Sequence, residues 1–437
     1  MRSIENEFKI NHLIQKSHLF ILSSVLFSSS AFSAGLEKSI MSSGHYAGIA
    51  GAASSSVAGP EALYFNPAGL AKSQTIHVTG NFSPTISQFT APIGSNASVD
   101  SNSSFSPIGS AFASYAVTPK LGVGIGYYVS GGTKAVFENA NFGSAFPSLT
   151  PTLKSDITIT ELSAGAGYEL IEDLYIGAAY RIVFAKANLG AAAVGQFAAP
   201  PLGALTTGLL AFNLIDMSAT NYNGFRLGVQ YTPKQARWGV GAQFRSNIDF
   251  TANGTTNGSL AYAGTGVTNS LAGGAATTNV SFPWQLSIAG HYELEPNKWR
   301  LFLGYDFTHY NTDQSIVTAG TLTGTTNVPS ITLNWNNMSN ARIATEYMMM
   351  PKLALRAGYV FTSQVVPNSN AAPTFSSPGV GHTLVLGSGY RFIDNLSGDI
   401  TLDYSTASGT VTAGQGPTVG DYSSKGYTAH LGLSYQL

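Results

Sequence analysis

Seven arginines, Arg181, Arg226, Arg245, Arg300, Arg342, Arg356 and Arg391, hold most of the binding chemistry in this 437-residue chain. Each falls on one parity of a period-two segment, opposite the large apolar residues around it; Arg2 and Arg237 lie elsewhere. Asp249, Glu293, Asp306, Glu346, Asp399 and Asp403 are their candidate partners on the same side. A guanidinium grips a carboxylate through two parallel N–H···O bonds. Two readings follow: a structural salt-bridge network, or one or two arginines, Arg181 and Arg245 among them, that bind a ligand's carboxylate headgroup. Catalytic patterns are missing. His45, His77, His291, His309, His382 and His430 are scattered, with no His-x-x-x-His and no Gly-x-Ser-x-Gly. Gly122-Val123-Gly124-Ile125-Gly126 lacks the strand–turn–helix setting of a phosphate loop and reads as small inward residues on a strand. No enzyme activity, metal or cofactor is expected, and the absence of cysteine removes thiol chemistry.

Strands must position that arginine row. Leu121, Val123, Ile125, Tyr127 and Val129 alternate with glycine, tyrosine and serine; Trp299 to Phe307, Leu396 to Tyr404 and Tyr427 to Leu437 alternate in the same way. Charged residues are only 10% of the chain, and no apolar run of about 20 residues follows the first 30. Low charge, 48 glycines and dispersed aromatics are the profile of a transmembrane β-barrel. Balanced charge, 21 basic against 22 acidic residues, argues against a nucleic-acid partner. Thr118-Pro119-Lys120, Ile171-Glu172-Asp173, Thr232-Pro233-Lys234, Glu295-Pro296-Asn297-Lys298, Met350-Pro351-Lys352 and Ile393-Asp394-Asn395 read as tight turns. Long loops are expected between them, near 90–105, 131–155, 188–216, 251–277, 311–329, 363–380 and 406–424. The fold class is therefore all-β, an antiparallel barrel of about fourteen strands with short turns on the periplasmic side and long loops outside. Ile157 and Ile159 are out of phase with Leu162, Ala164, Ala166 and Tyr168, which predicts a bulge near Thr160-Glu161.

Two segments depart from the strand pattern. Arg2, Lys9 and Lys16 precede the apolar run Leu19 to Phe27 and the small residues Ser28 to Ala34, which reads as a secretory signal over 1–34. Residues 35–73 are rich in glycine and small residues, too poor in large apolar side chains to build a core of their own. A barrel lumen would order them, with the barrel itself over 74–437. Within 188–215, Phe197, Leu202, Leu205, Leu209, Leu210, Phe212 and Leu214 concentrate apolar surface, which marks an interaction site if exposed.

Ser42-Ser43-Gly44-His45-Tyr46-Ala47-Gly48, followed by Tyr64-Phe65-Asn66-Pro67-Ala68-Gly69-Leu70, resembles the N-terminal hatch of the FadL/TodX (OmpP1) family of outer-membrane transport proteins. The similarity extends through Val129-Ser130-Gly131-Gly132-Thr133-Lys134-Ala135-Val136-Phe137, like that family's kinked third strand, and through Ala164 to Tyr168, Phe184 to Ala187, Phe282 to Leu286, Trp299 to Leu301, Arg342 to Ala344 and Leu355 to Tyr359. Where the family commonly has adjacent acidic residues before Asn-Pro-Ala, this chain has Glu61 alone. The resemblance implies a plug carrying Gly44, Gly48, Asn66, Pro67, Ala68 and Gly69, and a lateral gate at Gly131 and Gly132. It implies Lys186 as a headgroup ligand beside Arg181 and Arg245, and a hydrophobic capture groove from Phe197 to Phe212. The expected function is passive uptake of hydrophobic molecules across a Gram-negative outer membrane, long-chain fatty acids first, with aromatic or aliphatic hydrocarbons as the alternative and a general diffusion porin behind them. Expected partners are those molecules and the surrounding outer-membrane lipid and lipopolysaccharide, with the protein a monomer.

Overall fold

The computed structural model describes residues 43–94, 98–199, 204–310, 315–320, 322, 328–374, 377–416 and 418–437. The signal expected over 1–34, the first residues of the segment 35–73, and Leu202 lie outside them.

Fourteen antiparallel strands close into one barrel. They are β1 (His77–Pro92), β2 (Ser104–Thr118), β3 (Leu121–Phe137), β4 (Leu153–Ile171), β5 (Leu174–Ala199) and β6 (Ala204–Tyr231). Next come β7 in two pieces (Trp238–Arg245 and Ile248–Tyr262), β8 in two pieces (Ala275–Phe282 and Gln285–Glu295), and β9 (Trp299–Thr308, continued by Ser315–Gly320). The rest are β10 (Met338–Met350), β11 (Leu353–Thr362), β12 (Val380–Ile393), β13 (Leu396–Val411) and β14 (Gly420–Gln436). Each pairs with its sequence neighbours, and β1 closes on β14 from His77↔Gln436 to Thr90↔Ser423. Closure pairs every strand with two neighbours over most of its length, the condition for a sheet to sit in lipid. No helix among the described residues is long and apolar enough to cross a membrane.

Alternation sets the two faces. Ile125, Tyr127, Leu303, Tyr305, Ile400, Leu402, Leu431 and Leu433 are exposed on the outer wall, while their neighbours face the lumen. The short turns hold their predicted places. Asp173 and Asn297 take φ of 64° and 57° there, a conformation that Asn and Asp tolerate better than most residues. Tyr168, Tyr231, Trp238, Tyr292, Trp299, Tyr347 and Tyr390 ring that rim on the outer face, as an interfacial aromatic girdle does.

Three sequence expectations are corrected; one is the loop near 251–277, which is largely strand over Ile248–Tyr262 and Thr268–Leu271. Residues 188–216 are not a loop: β5 and β6 run on as a hairpin of 26- and 28-residue strands. Its apolar side chains are core. Leu209, Leu210, Phe212 and Leu214 are buried, the last three packing with Leu189, Leu260 and Tyr262, and Phe197 packs partly against that cluster; among the described residues of the set Leu205 alone stays strongly exposed, at 73%. Nor does β4 bulge near Thr160-Glu161. Its register with β5 is continuous there, and Ile157 and Ile159 point inward because the lumen at that height is apolar. The extra residue lies on β3, at Ser130, between the pairs Val129↔Thr160 and Gly131↔Ile159.

Candidate functional site

Residues 43–73 pack against the inward faces of the wall. Helix α1 (Gly44–Gly48) packs on β12 to β14; helix α2 (Ala62–Phe65) and a 3₁₀ turn (Pro67–Lys72) pack on β3 to β6. Asn66 ties it to the wall. Its Nδ2 donates to Ser54 O (2.7 Å), Val229 O (2.9 Å) and Ala242 O (3.2 Å), while its Oδ1 accepts from Ala68 N (3.1 Å). Pro67, which has no N–H to satisfy, starts the 3₁₀ turn. Wall glycines make room: a Cβ on Gly122, Gly177 or Gly228 would run into Leu70, Pro67 or Asn66. Gly69 lies against Val57, and Gly48 against Arg356 and Thr401. Gly44 is fixed at both ends, its N donating to Asn81 Oδ1 (2.8 Å) and its O accepting from Thr401 Oγ1 (2.9 Å). Asn81 also donates to Glu61 Oε1 (3.3 Å). Burial pushes the Glu61 carboxyl above the usual carboxylate range.

Lumenal arginines brace this packing. Arg226 Nη1 donates to Leu63 O (2.8 Å) and to Tyr64 O; Arg342 Nη1 donates to Ala50 O (2.8 Å) while its other edge pairs with Asp306. Arg356 bridges Glu346 and Asp399, each at 2.6 Å, and Asp399 meets His45 at 3.4 Å. Arg181 donates through Nε and Nη2 to both oxygens of Glu161, with Arg226 Nη2 3.5 Å from the same carboxylate. Arg245 donates to Pro283 O (3.1 Å) and lies 4.8 Å over the Phe282 ring.

Above this ionic layer the lumen turns apolar. One residue pair further along the same inward faces, Glu161 gives way to Ile159 and Arg181 to Val183, which cluster with Ile248, Phe250 and Phe282. On that floor stands a cavity of about 860 Å³, including its open mouth, lined by Ile157, Ile159, Leu214, Met217, Phe250 and Trp335 among others.

Beside it the wall is open. The β2–β3 ladder runs from Thr118↔Leu121 to Ser110↔Tyr128 and stops. Beyond that point β3 pairs only with β4, and the two edges meet again where Asn102 N donates to Val136 O (2.8 Å). Between lies a window, open to the outside, bordered by Phe105–Ile108 on one side and by Val129 and Gly131–Lys134 on the other. Gly132 has φ 147°, which L side chains rarely adopt, so the departure from ladder geometry is built into the residue type. Ile157 lines both the window and the lumenal cavity.

The site residues expected from sequence fall differently. Gly131 and Gly132 are at the window. Arg181 is fully occupied by Glu161 and Ser246 O, and Arg245 lies beneath Phe282 rather than in the cavity. Lys186 borders the cavity, yet it is exposed and stands on the strand parity opposite Ala185 and Ala187. Asp249, expected inside, is exposed on the outer face beside Ser281. Sequence reasoning missed Ile157, Phe250 and Trp335 in the cavity, whose apolar character on an inward parity was the available signal. It placed Asp403 with an arginine and missed its link to His430 and Ser83. The Ser83 Oγ is 2.9 Å from His430 Nδ1, and His430 Nε2 is 2.8 Å from Asp403 Oδ2. These are hydrolase residue types, but Ser83 is only 1% exposed, so no substrate carbonyl reaches its Oγ in this arrangement. The trio is a wall bond.

Comparison with known proteins agrees with this architecture. The barrel is similar to the P. putida toluene transporter TodX (TM-score 0.74, 16% identity, 92% of this chain and 99% of that one) and to a Pseudomonas aeruginosa FadL homologue (0.73, 16%, 92% and 99%). Outer membrane protein P1 of Haemophilus influenzae is 24% identical over 308 residues, a match that spans 66% of this chain and 63% of that relative. The profile of the outer membrane protein transport protein family (OMPP1/FadL/TodX) matches residues 24–436, so the chain belongs to that family and is an outer-membrane β-barrel.

Proposed function

We propose that the protein is a passive channel that takes hydrophobic molecules from the cell exterior into the lumenal cavity and releases them sideways through the β2–β3 window into the membrane. The observation that carries this reading is the single side chain, Ile157, between the apolar cavity and the break in the wall. A hydrophobic solute gains by moving from one apolar surface to the next and loses by entering water. A lateral exit fits that gradient; an axial one would cross the ionic layer and the packed N-terminal segment. Residues 43–73 act as the plug that closes the axial route, held by Asn66, Pro67 and Ala68, with a single barrel as the working unit. A general diffusion porin needs an open lumen, which this packing denies.

Among substrates, uncharged hydrocarbons fit better than fatty acids. Among the described residues Lys186 is the one charged residue around the cavity, and it is exposed. Arg181, the carboxylate ligand expected from sequence, is already paired with Glu161. The relatives named as toluene transporters point the same way. Uptake of a radiolabelled monoaromatic hydrocarbon and of a long-chain fatty acid into cells expressing the protein tests the reading. The hydrocarbon should enter faster than in cells without it; a gain for the fatty acid alone would reverse the substrate order, and a gain for neither would remove the transport reading.

A further inference from the structure

The outer wall beside the window bears a cluster of lysines that neither the lumen nor the plug uses. Residues 43–437 contain nine lysines. Lys120, Lys234, Lys298 and Lys352 stand in the short turns of the periplasmic rim, Lys72 in the N-terminal segment and Lys425 on β14. The remaining three, Lys134, Lys154 and Lys186, are on the outer face of consecutive strands β3, β4 and β5. Ladder pairs fix their neighbourhood: Lys134 opposes Asp156, Lys154 is the next outward residue after Asp156 on β4, and Lys186 opposes Thr158, the one before it. The Lys134 Nζ is 3.4 Å from Asp156. Asp216 borders the patch, its N donating to Asn188 Oδ1 (3.0 Å). Among the described residues neither Lys154 nor Lys186 has an ion-pair partner.

Height along the barrel says what these cations meet. From Tyr168, in the periplasmic aromatic girdle, to Asp156 the outward column of β4 climbs twelve residues, past Ala166, Ala164 and Leu162. At about 3.4 Å per residue and a tilt of about 40°, that is a rise of about 31 Å. The apolar band of such barrels is about 25 Å tall, so the lysines emerge just above it, at the headgroups of the outer leaflet. Lys134 and Asp156 also border the window, and Phe105 stands 54% exposed on the window's far edge.

We infer that Lys134, Lys154 and Lys186 form a binding site for the phosphate of an anionic outer-leaflet lipid, with the lipid's acyl chain lying over the window between Phe105 and Val129. Asp156 holds Lys134 in place, and Lys154 and Lys186 supply the uncompensated charge that recognises phosphate. The lipid occupies the place where the channel opens into the membrane. The inference rests on insertion in the outer membrane and on this surface alone, and it stands whether or not the channel carries hydrocarbons.

Native mass spectrometry of the full chain tests it, after exchange from vesicles that contain a diphosphorylated lipid A into detergent. The wild type should retain one such lipid. The triple variant Lys134→Gln, Lys154→Gln, Lys186→Gln should lose it by more than about tenfold, since each lysine near an anionic surface adds to the attraction. A second triple variant in the turns, Lys120→Gln, Lys234→Gln, Lys298→Gln, should retain it. Heat-modifiable gel migration confirms that both variants are folded barrels. Equal retention by the wild type and the first variant, or equal loss in both variants, would overturn the site. So would an adduct with inorganic phosphate alone that the first variant lacks, since it would make the ligand a free anion rather than a lipid.

Discussion

Arg181 lies against Glu161 with Nε 2.8 Å from Oε2 and Nη2 2.6 Å from Oε1, both side chains fully buried. The pair places a charged layer under an apolar one, so the cavity has a floor that a hydrophobic solute does not cross. Glu161 also faces Arg226, and Tyr128 OH donates to it at 2.8 Å. Replacing Glu161→Gln leaves two buried guanidinium groups without their carboxylate. Loss of a partner from a buried ion pair costs about 3–5 kcal/mol. Urea unfolding in vesicles should show a drop of that size, with hydrocarbon binding by folded protein preserved. Lost binding at unchanged stability would mean that the cluster contacts ligand.

Asn66→Ala removes the amide that reaches Ser54, Val229 and Ala242. Stranding buried carbonyls costs about 1–3 kcal/mol, enough to loosen the segment without unfolding the wall. Planar-bilayer recordings should show frequent openings in the variant and a quiet wild type. A quiet variant would place the anchor elsewhere, in the arginine bonds to Leu63, Tyr64 and Ala50.

Lys72 gives the N-terminal segment a pH dependence. Its Nζ sits 4.8 Å over the Tyr175 ring, and burial lowers its pKa to about 8, with Asp173 opposing the shift. A depressed pKa means that the folded state favours neutral lysine. The stability this contributes is fully present above the unfolded pKa near 10.5 and is lost as pH falls through about 8. Lys72→Met should therefore be more stable than the wild type at neutral pH, with the gap closing as pH approaches 10.5. A gap that does not change with pH would show that the lysine stays solvated.

The barrel was legible because outward residues such as Leu301, Leu303, Ile400 and Leu402 meet lipid on every strand, and lipid demands one kind of side chain. The turns were legible because Pro119, Pro233, Pro296 and Pro351 exclude continued pairing. The inward face carries no such single demand. Ile157 and Ile159 read as an error in phase because an apolar lumen at that height leaves the same letters as a bulge. Leu209, Leu210 and Phe212 read as an exposed patch because periodicity does not say that a long hairpin continues above the membrane and buries them. Lys186 followed the family resemblance, yet the parity set by Val183 and Ala185 already assigns it to the outer face. The window left a partial trace in Gly131-Gly132, while the loss of pairing opposite Phe105–Ile108 is a tertiary fact.

Occlusion of that window is the most direct test. The chain has no cysteine, so Pro107→Cys is a unique label site on the window's edge, and Leu384→Cys is a control on the outer face of β12. Hydrocarbon uptake should be normal in both variants before labelling. After reaction with a bulky maleimide, uptake should fall to the background of cells without the protein for Pro107→Cys and stay unchanged for Leu384→Cys. Full uptake by the labelled Pro107→Cys protein would contradict lateral release between β2 and β3.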